Sequence, residues 1–120
     1  MGNDRDAKIT FYAAECMEFI HYGELRENLT LADAVREYKK IYRRNASSGP
    51  GIGFVLEDRN MPDYSGIEYP LYEGGSLAKE QIELVPTFRD HPLVKQAVKD
   101  MEAYLPQLAK AERGRSGAER

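Results

Sequence analysis

The chain has 120 residues, 42% of them apolar and 31% charged, with seventeen basic against twenty acidic side chains and a net charge of −3. That is one domain's length with the composition of a folded soluble protein, which excludes collagen-like, fibrous and wholly disordered classes. The charge balance is too even for a dedicated polyanion binder or an acidic mimic of nucleic acid. A single cysteine, Cys16, excludes an internal disulfide and a cysteine-rich zinc site, and it fits a reducing compartment. Residues 1–8 are polar and no apolar run approaches about 18 residues, so the expected location is cytoplasmic, without a membrane span.

In chain order, Ile9, Tyr12, Ala13, Cys16, Phe19 and Ile20 recur at spacings of three and four. This predicts an amphipathic helix over 9–22, stopped by Gly23, with Cys16 packed as an inert thiol. Thr30 followed by Asp33 resembles a capping box, and Leu31, Ala34, Val35, Tyr38, Ile41 and Tyr42 form a second helical stripe. The segment 45–51, NASSGPG, is a loop.

Ile52, Phe54 and Leu56 alternate with smaller or outward residues, as do Ile67, Tyr69 and Leu71, which predicts an antiparallel pair of strands. Pro70 has no N–H to give a ladder and so belongs at an edge. After Gly74 and Gly75, 76–81 suits one helical turn and 82–85 a short third strand. Asp90, His91 and Pro92 set up a helix start with His91 as a capping residue, followed by Leu93, Val94, Ala97, Val98, Met101, Tyr104 and Leu105 at helical spacing. Pro106 is expected to end or kink it.

The expected architecture is therefore α+β: a small antiparallel sheet of two to three strands with three helices on one face, in the order α-α-β-β-(β)-α. Residues 1–8 are expected to be a flexible N-terminus, 9–106 a single domain and 107–120 a disordered tail. The core should gather Leu31, Val35, Tyr38, Ile41, Phe54, Leu56, Tyr69, Leu71, Leu93, Ala97, Val98 and Met101.

Candidate chemistry is sparse. Gly49, Gly51 and Gly53 alternate as in some phosphate loops, but a helix precedes them and a strand follows, the reverse of what a phosphate loop needs. Two histidines, His21 and His91, and one cysteine do not make a structural zinc site, and no serine lies in a nucleophile-elbow sequence. Glu15, Glu18, Glu24 and Glu27 read as a solvated face. No catalytic, cofactor-binding or metal-binding residue is expected.

Two partner surfaces are candidates. Arg36, Lys39, Lys40, Arg43 and Arg44 cluster on the second helix with Tyr38 and Tyr42 between them, which suits phosphate contact with aromatic stacking or an acidic protein surface; the preferred account is ordinary, cations complementing the helix dipole and tyrosines belonging to the apolar stripe. Val55, Tyr64 and Tyr72 are expected around an uncovered sheet face or edge that invites a protein partner or a homodimer.

The segments GELRENLTLADAVREYKKI (23–41), GIGFVL (51–56), YPLYEGG (69–75) and FRDHPLVKQAVKDMEAYL (88–105) resemble the small accessory domains found in, or beside, large polyvalent proteins of bacterial conjugative elements and phages. The resemblance spans most of 10–106 and rests on structural motifs. It implies a mobile-element setting and a non-catalytic protein-interaction or accessory role, with transfer machinery or a host defence enzyme as partner. An alternative is an inhibitor of a host defence nuclease, of anti-restriction or anti-CRISPR type; a further one is a nucleic-acid-binding accessory protein using the basic patch.

Overall fold

The computed structural model describes residues 7–61 and 63–118. The expected flexible N-terminus lies outside them except for Ala7 and Lys8, which already belong to a strand. The order is β1 (Ala7–Ala14), β2 (Leu25–Leu29), α1 (Leu31–Asn45), β3 (Gly51–Asp58), β4 (Glu68–Glu73), β5 (Ser76–Leu77), α2 (Lys79–Glu83), α3 (Pro86–Asp90) and α4 (Pro92–Ala118). A short 3-10 turn, Ala46–Ser48, joins α1 to β3 and ends on Gly49 at φ 85°. The strands form one five-stranded sheet in the order β2-β1-β3-β4-β5, every pair antiparallel.

The class is α+β as expected, but the sheet of two to three strands with three helices in the order α-α-β-β-(β)-α is not what forms. The predicted first helix is a strand and an irregular crossing. Ile9 pairs with Leu56, Phe11 with Phe54 and Ala13 with Ile52, while Tyr12 and Ala14 on the other face are as buried as Phe11 and Ala13. A strand covered on both sides carries apolar residues without alternation, and a helical spacing can then be found in it by accident. The predicted third strand over 82–85 is the end of α2 and its exit; the short fifth strand lies earlier, at Ser76–Leu77.

α1 forms as its stripe dictates. Thr30 Oγ1 accepts the N–H of Asp33 at 3.1 Å, Asp33 lies in the first turn and Arg43 and Arg44 in the last, matching the helix dipole. Leu31, Ala34, Val35, Tyr38 and Ile41 face the sheet. α4 brings Val94, Ala97, Met101 and Leu108 to the same core, with Leu93, Val98, Tyr104 and Leu105 partly buried beside them. Phe88 of α3, fully buried, sits 5.2 Å from Phe54, 4.9 Å from Tyr69 and 5.2 Å from Tyr64, ring centre to ring centre.

Pro106 does not end α4, which runs on to Ala118. Pro106 and Glu102 lie on the solvent side, where the carbonyl left without a partner is open to water, while the apolar stripe continues beneath through Leu108. The stretch beginning at Gln107 is therefore helical. Glu112 accepts the hydroxyls of Tyr38 at 2.5 Å and Tyr72 at 2.7 Å, which fixes α4 to both α1 and β4. No helix among the described residues is long and apolar enough to cross a membrane.

Candidate functional site

The helices cover one face of the sheet; the other is crossed by residues 15–24, which connect β1 to β2. Register places Thr10, Tyr12 and Ala14 of β1 opposite Val55, Gly53 and Gly51 of β3 on this second face, with Glu68 beside Val55 and Glu73 beside Gly51 on β4. The glycines have a steric role. A Cβ at Gly53 would collide with the Tyr12 ring, and one at Gly51 with the Met17 side chain and the Tyr72 carbonyl. The bare patch on β3 is what lets Tyr12 and Met17 lie against the backbone. Burial, then Glu68 and Glu73, push the Tyr12 hydroxyl far above the usual tyrosine range.

The crossing is anchored at its base by Glu15. Its carboxylate accepts the Glu24 N–H at 2.8 Å and the Asn45 amide at 2.8 Å, and its backbone N–H donates to the Glu24 carbonyl at 2.8 Å. These bonds, the Glu24 N–H first, hold the Glu15 carboxyl below the usual range. Gly23, at φ 83°, packs on the same side chain, and Ser48 Oγ donates to the Glu15 carbonyl at 2.5 Å. From this base the crossing reaches the sheet: His21 Nε2 lies 3.5 Å from Glu68 Oε1.

Glu68 is mostly buried there. Burial and a hydrogen bond with Glu27 raise its pKa, with Glu27's charge adding and His21 opposing. Its Oε2 is shut off from solvent and meets no hydrogen-bond donor. Glu27 reaches this position because β2 carries a bulge: residues 27 and 28 together oppose Tyr12, with Asn28 at φ 60°. The crossing also exposes Phe19 and Tyr22, 64% and 76% accessible.

The basic helix face is largely neutralised. Arg36 pairs with Asp33 at 2.8 Å, Lys40 with Glu37 at 3.3 Å and Arg44 with Glu24, and Lys39 contacts Gln107. Arg43 is exposed. Tyr38 is buried and occupied by Glu112, so it offers no ring for stacking, and Tyr42 is partly buried 5.9 Å from it. The structure does not gather Val55, Tyr64 and Tyr72 on one surface: Tyr72 points into the core, Tyr64 packs on Phe88, and Val55 sits half-buried on the crossing's side. Pro70 lies where β4 has β3 on one side and β5 does not extend far enough to flank it.

A cleft of about 830 Å³ opens where β3 ends beside α4, lined by Asp58, Met61, Thr87, His91, Leu93 and Gln96 among others. His91 Nε2 and Asp58 Oδ2 are 2.7 Å apart, and His91 Nδ1 accepts the Leu93 N–H at 3.1 Å. An Nδ1 that accepts must be unprotonated, so the proton is on Nε2 and donated to Asp58. Both ring nitrogens are thereby engaged, which leaves none for general acid–base work. Asp58 caps its own turn through the Asn60 N–H, and that bond together with His91 holds its carboxyl below the usual range.

The residues the sequence reading passed over as a site are Phe19, Tyr22, His21, Glu27 and Glu68. The one signal for them was the alternation of Gly51 and Gly53, which marks a sheet face where something large lies close. Among the described residues no group of histidine, cysteine and carboxylate side chains is placed to hold a metal ion. No protein-family model, curated protein or solved structure matches the chain.

Proposed function

We propose that this chain is a non-catalytic protein-interaction module of a bacterial mobile genetic element, and that it binds its protein partner through the sheet face crossed by residues 15–24. The observation that carries the reading is the exposure of Phe19 and Tyr22 on that crossing, with Ile67 also exposed next to Glu68. Large aromatic side chains held outward on a fixed support suit protein contact. The saturated His91 nitrogens favour a binding role over a catalytic one. The mobile-element setting rests on the family resemblance. Pairing of the basic helix residues with acids speaks for protein rather than nucleic acid as the partner.

Affinity capture from a bacterial host lysate, with the wild type and a Phe19→Ala/Tyr22→Ala variant side by side, tests this. A protein recovered by the wild type and lost from a folded variant supports the reading. Recovery that is unaffected by the substitutions overturns the assignment of the face. A defence nuclease among the specific partners selects the inhibitor form of the proposal, and conjugative transfer proteins select the accessory form.

A further inference from the structure

We propose that His91 is a proton-operated clasp on the start of α4: the ring caps the helix while Nδ1 is bare, and a second ring proton releases the first turn and, with it, one wall of the cleft at the end of β3. The device belongs to the helix layer and not to the crossed sheet face, so it holds whatever binds that face.

The clasp is made of one bond on each side of the ring. Nε2 meets Asp58 Oδ2 at 2.7 Å and Nδ1 accepts the Leu93 N–H at 3.1 Å, with the His91 and Asp58 side chains each 12% exposed. Pro92, the first residue of α4, has no N–H, and the His91 carbonyl accepts the Lys95 N–H at 2.9 Å, so His91 begins the helix with its backbone and caps it with its ring. An imidazolium carries a hydrogen on both nitrogens and accepts at neither. Proton uptake therefore turns the Leu93 bond into two N–H groups facing each other, and it sets a positive charge at the positive end of the helix dipole. The Asp58 side keeps its bond, because Nε2 donates in both states and the Asp58 carboxyl is held below its usual range, by the Asn60 N–H first and then by His91. With the ring retained by β3, the first turn of α4 is what gives way. Pro92, Leu93 and Gln96 of that helix line the cleft together with His91.

The charged groups on the elements packed around the ring are Asp58 with Arg59 after it on β3, Lys8 on β1, Arg89 and Asp90 in α3 and Lys95 in α4. Lys8 is paired with Glu57 at 3.2 Å and Arg89 with Asp90 at 3.3 Å, and Lys95 acts on Asp90; it is Asp58 that touches the imidazole.

The test is NMR of the full chain, stepped from neutral toward acid pH, in which the ring nitrogens report the second proton and the Leu93 amide reports the cap. As the ring becomes doubly protonated, the Leu93 amide proton is expected to move upfield and to exchange with solvent about five- to tenfold faster than its intrinsic pH dependence allows, while the amides of Ala97 and Met101 hold their protection. His91→Asn supplies a side-chain oxygen that caps and does not titrate, so its Leu93 amide should stay protected throughout. A Leu93 amide that keeps its protection beside a doubly protonated ring overturns the proposal. So does a ring that takes up no second proton while the chain is folded, or a pH-dependent loss at Leu93 that persists in His91→Asn.

Discussion

The Tyr12 ring lies against Gly53, so close that a side chain on the glycine would overlap it. Two adjacent strands thus share one side chain's worth of space on the sheet face. Gly53→Ala is expected to lower stability by about 1 to 3 kcal/mol, the usual cost of overpacking. Chemical denaturation of Gly53→Ala, Tyr12→Ala and the double variant measures it. The glycine substitution should cost much less when Tyr12 is already truncated, and strictly additive effects would refute the contact as the cause.

Glu112 gathers two hydroxyls that arrive from α1 and β4. Burial first, and then the hydrogen bond to Glu112, push both tyrosines far above their usual range. Removing the carboxylate with Glu112→Ala leaves two buried hydroxyls without their acceptor and should cost about 1 to 3 kcal/mol. Leu108→Ala, at a fully buried position, should cost about 2 to 5 kcal/mol. Thermal denaturation that is indifferent to both substitutions would show that α4 beyond Pro106 is not part of the folded unit.

Two carboxyl groups should shape the pH profile of stability in opposite senses. Asp58 is held below its ordinary value of 3.8, so its contribution is complete above that value and is lost as pH falls through the lower folded-state one. Asp58→Asn should therefore flatten the acid limb of a stability-versus-pH curve. Glu68 is raised above 4.5 by burial and by Glu27; its contribution is complete below 4.5 and is lost as pH rises through the higher folded-state value. Glu68→Gln should remove that loss and raise stability at neutral pH relative to the wild type. Urea denaturation across pH 3 to 8 reads the change of slope each substitution causes relative to the wild type, and changes of the same sign for the two variants would contradict the assignment.

The His91 ring should be found with a proton on Nε2 and none on Nδ1, because Nδ1 accepts the Leu93 N–H and Nε2 faces Asp58. Nitrogen-15 chemical shifts of the ring distinguish the tautomers directly. A protonated Nδ1 would break the cap on α4 and would reopen His91 to a chemical role.

Most of the helix layer was legible from spacing. α1 and the first half of α4 present uninterrupted apolar stripes, and Leu31, Val35, Tyr38, Ile41, Ala97 and Met101 lie in the core that those stripes specify. β3 and β4 were legible because Phe54 and Leu56, then Tyr69 and Leu71, mark a buried side. β1 was not, since Phe11, Tyr12, Ala13 and Ala14 are all buried and a doubly covered strand has no polar phase to read. β2 was invisible for the opposite reason: LRENL is an edge with a bulge, and its middle three residues are exposed. The placement of Glu27 and Glu68 on one face was illegible because they are far apart in sequence, on β2 and β4, with β1 and β3 between them in the sheet.

The ladder between β1 and β3 pairs Ala14 with Gly51 and Ala7 with Asp58, so the heart of the sheet joins segments separated by the whole of β2 and α1. Neither strand can gain from this pairing until that intervening chain has been drawn closed, at an entropic cost incurred before the contacts form. α1, whose stripe and cap are local, can order early and offer Tyr38 and Ile41 as a surface on which the two strands meet. Assembly speed is thus governed by a long-range closure, and mutations in α1 that weaken its helix should slow folding more than they hasten unfolding.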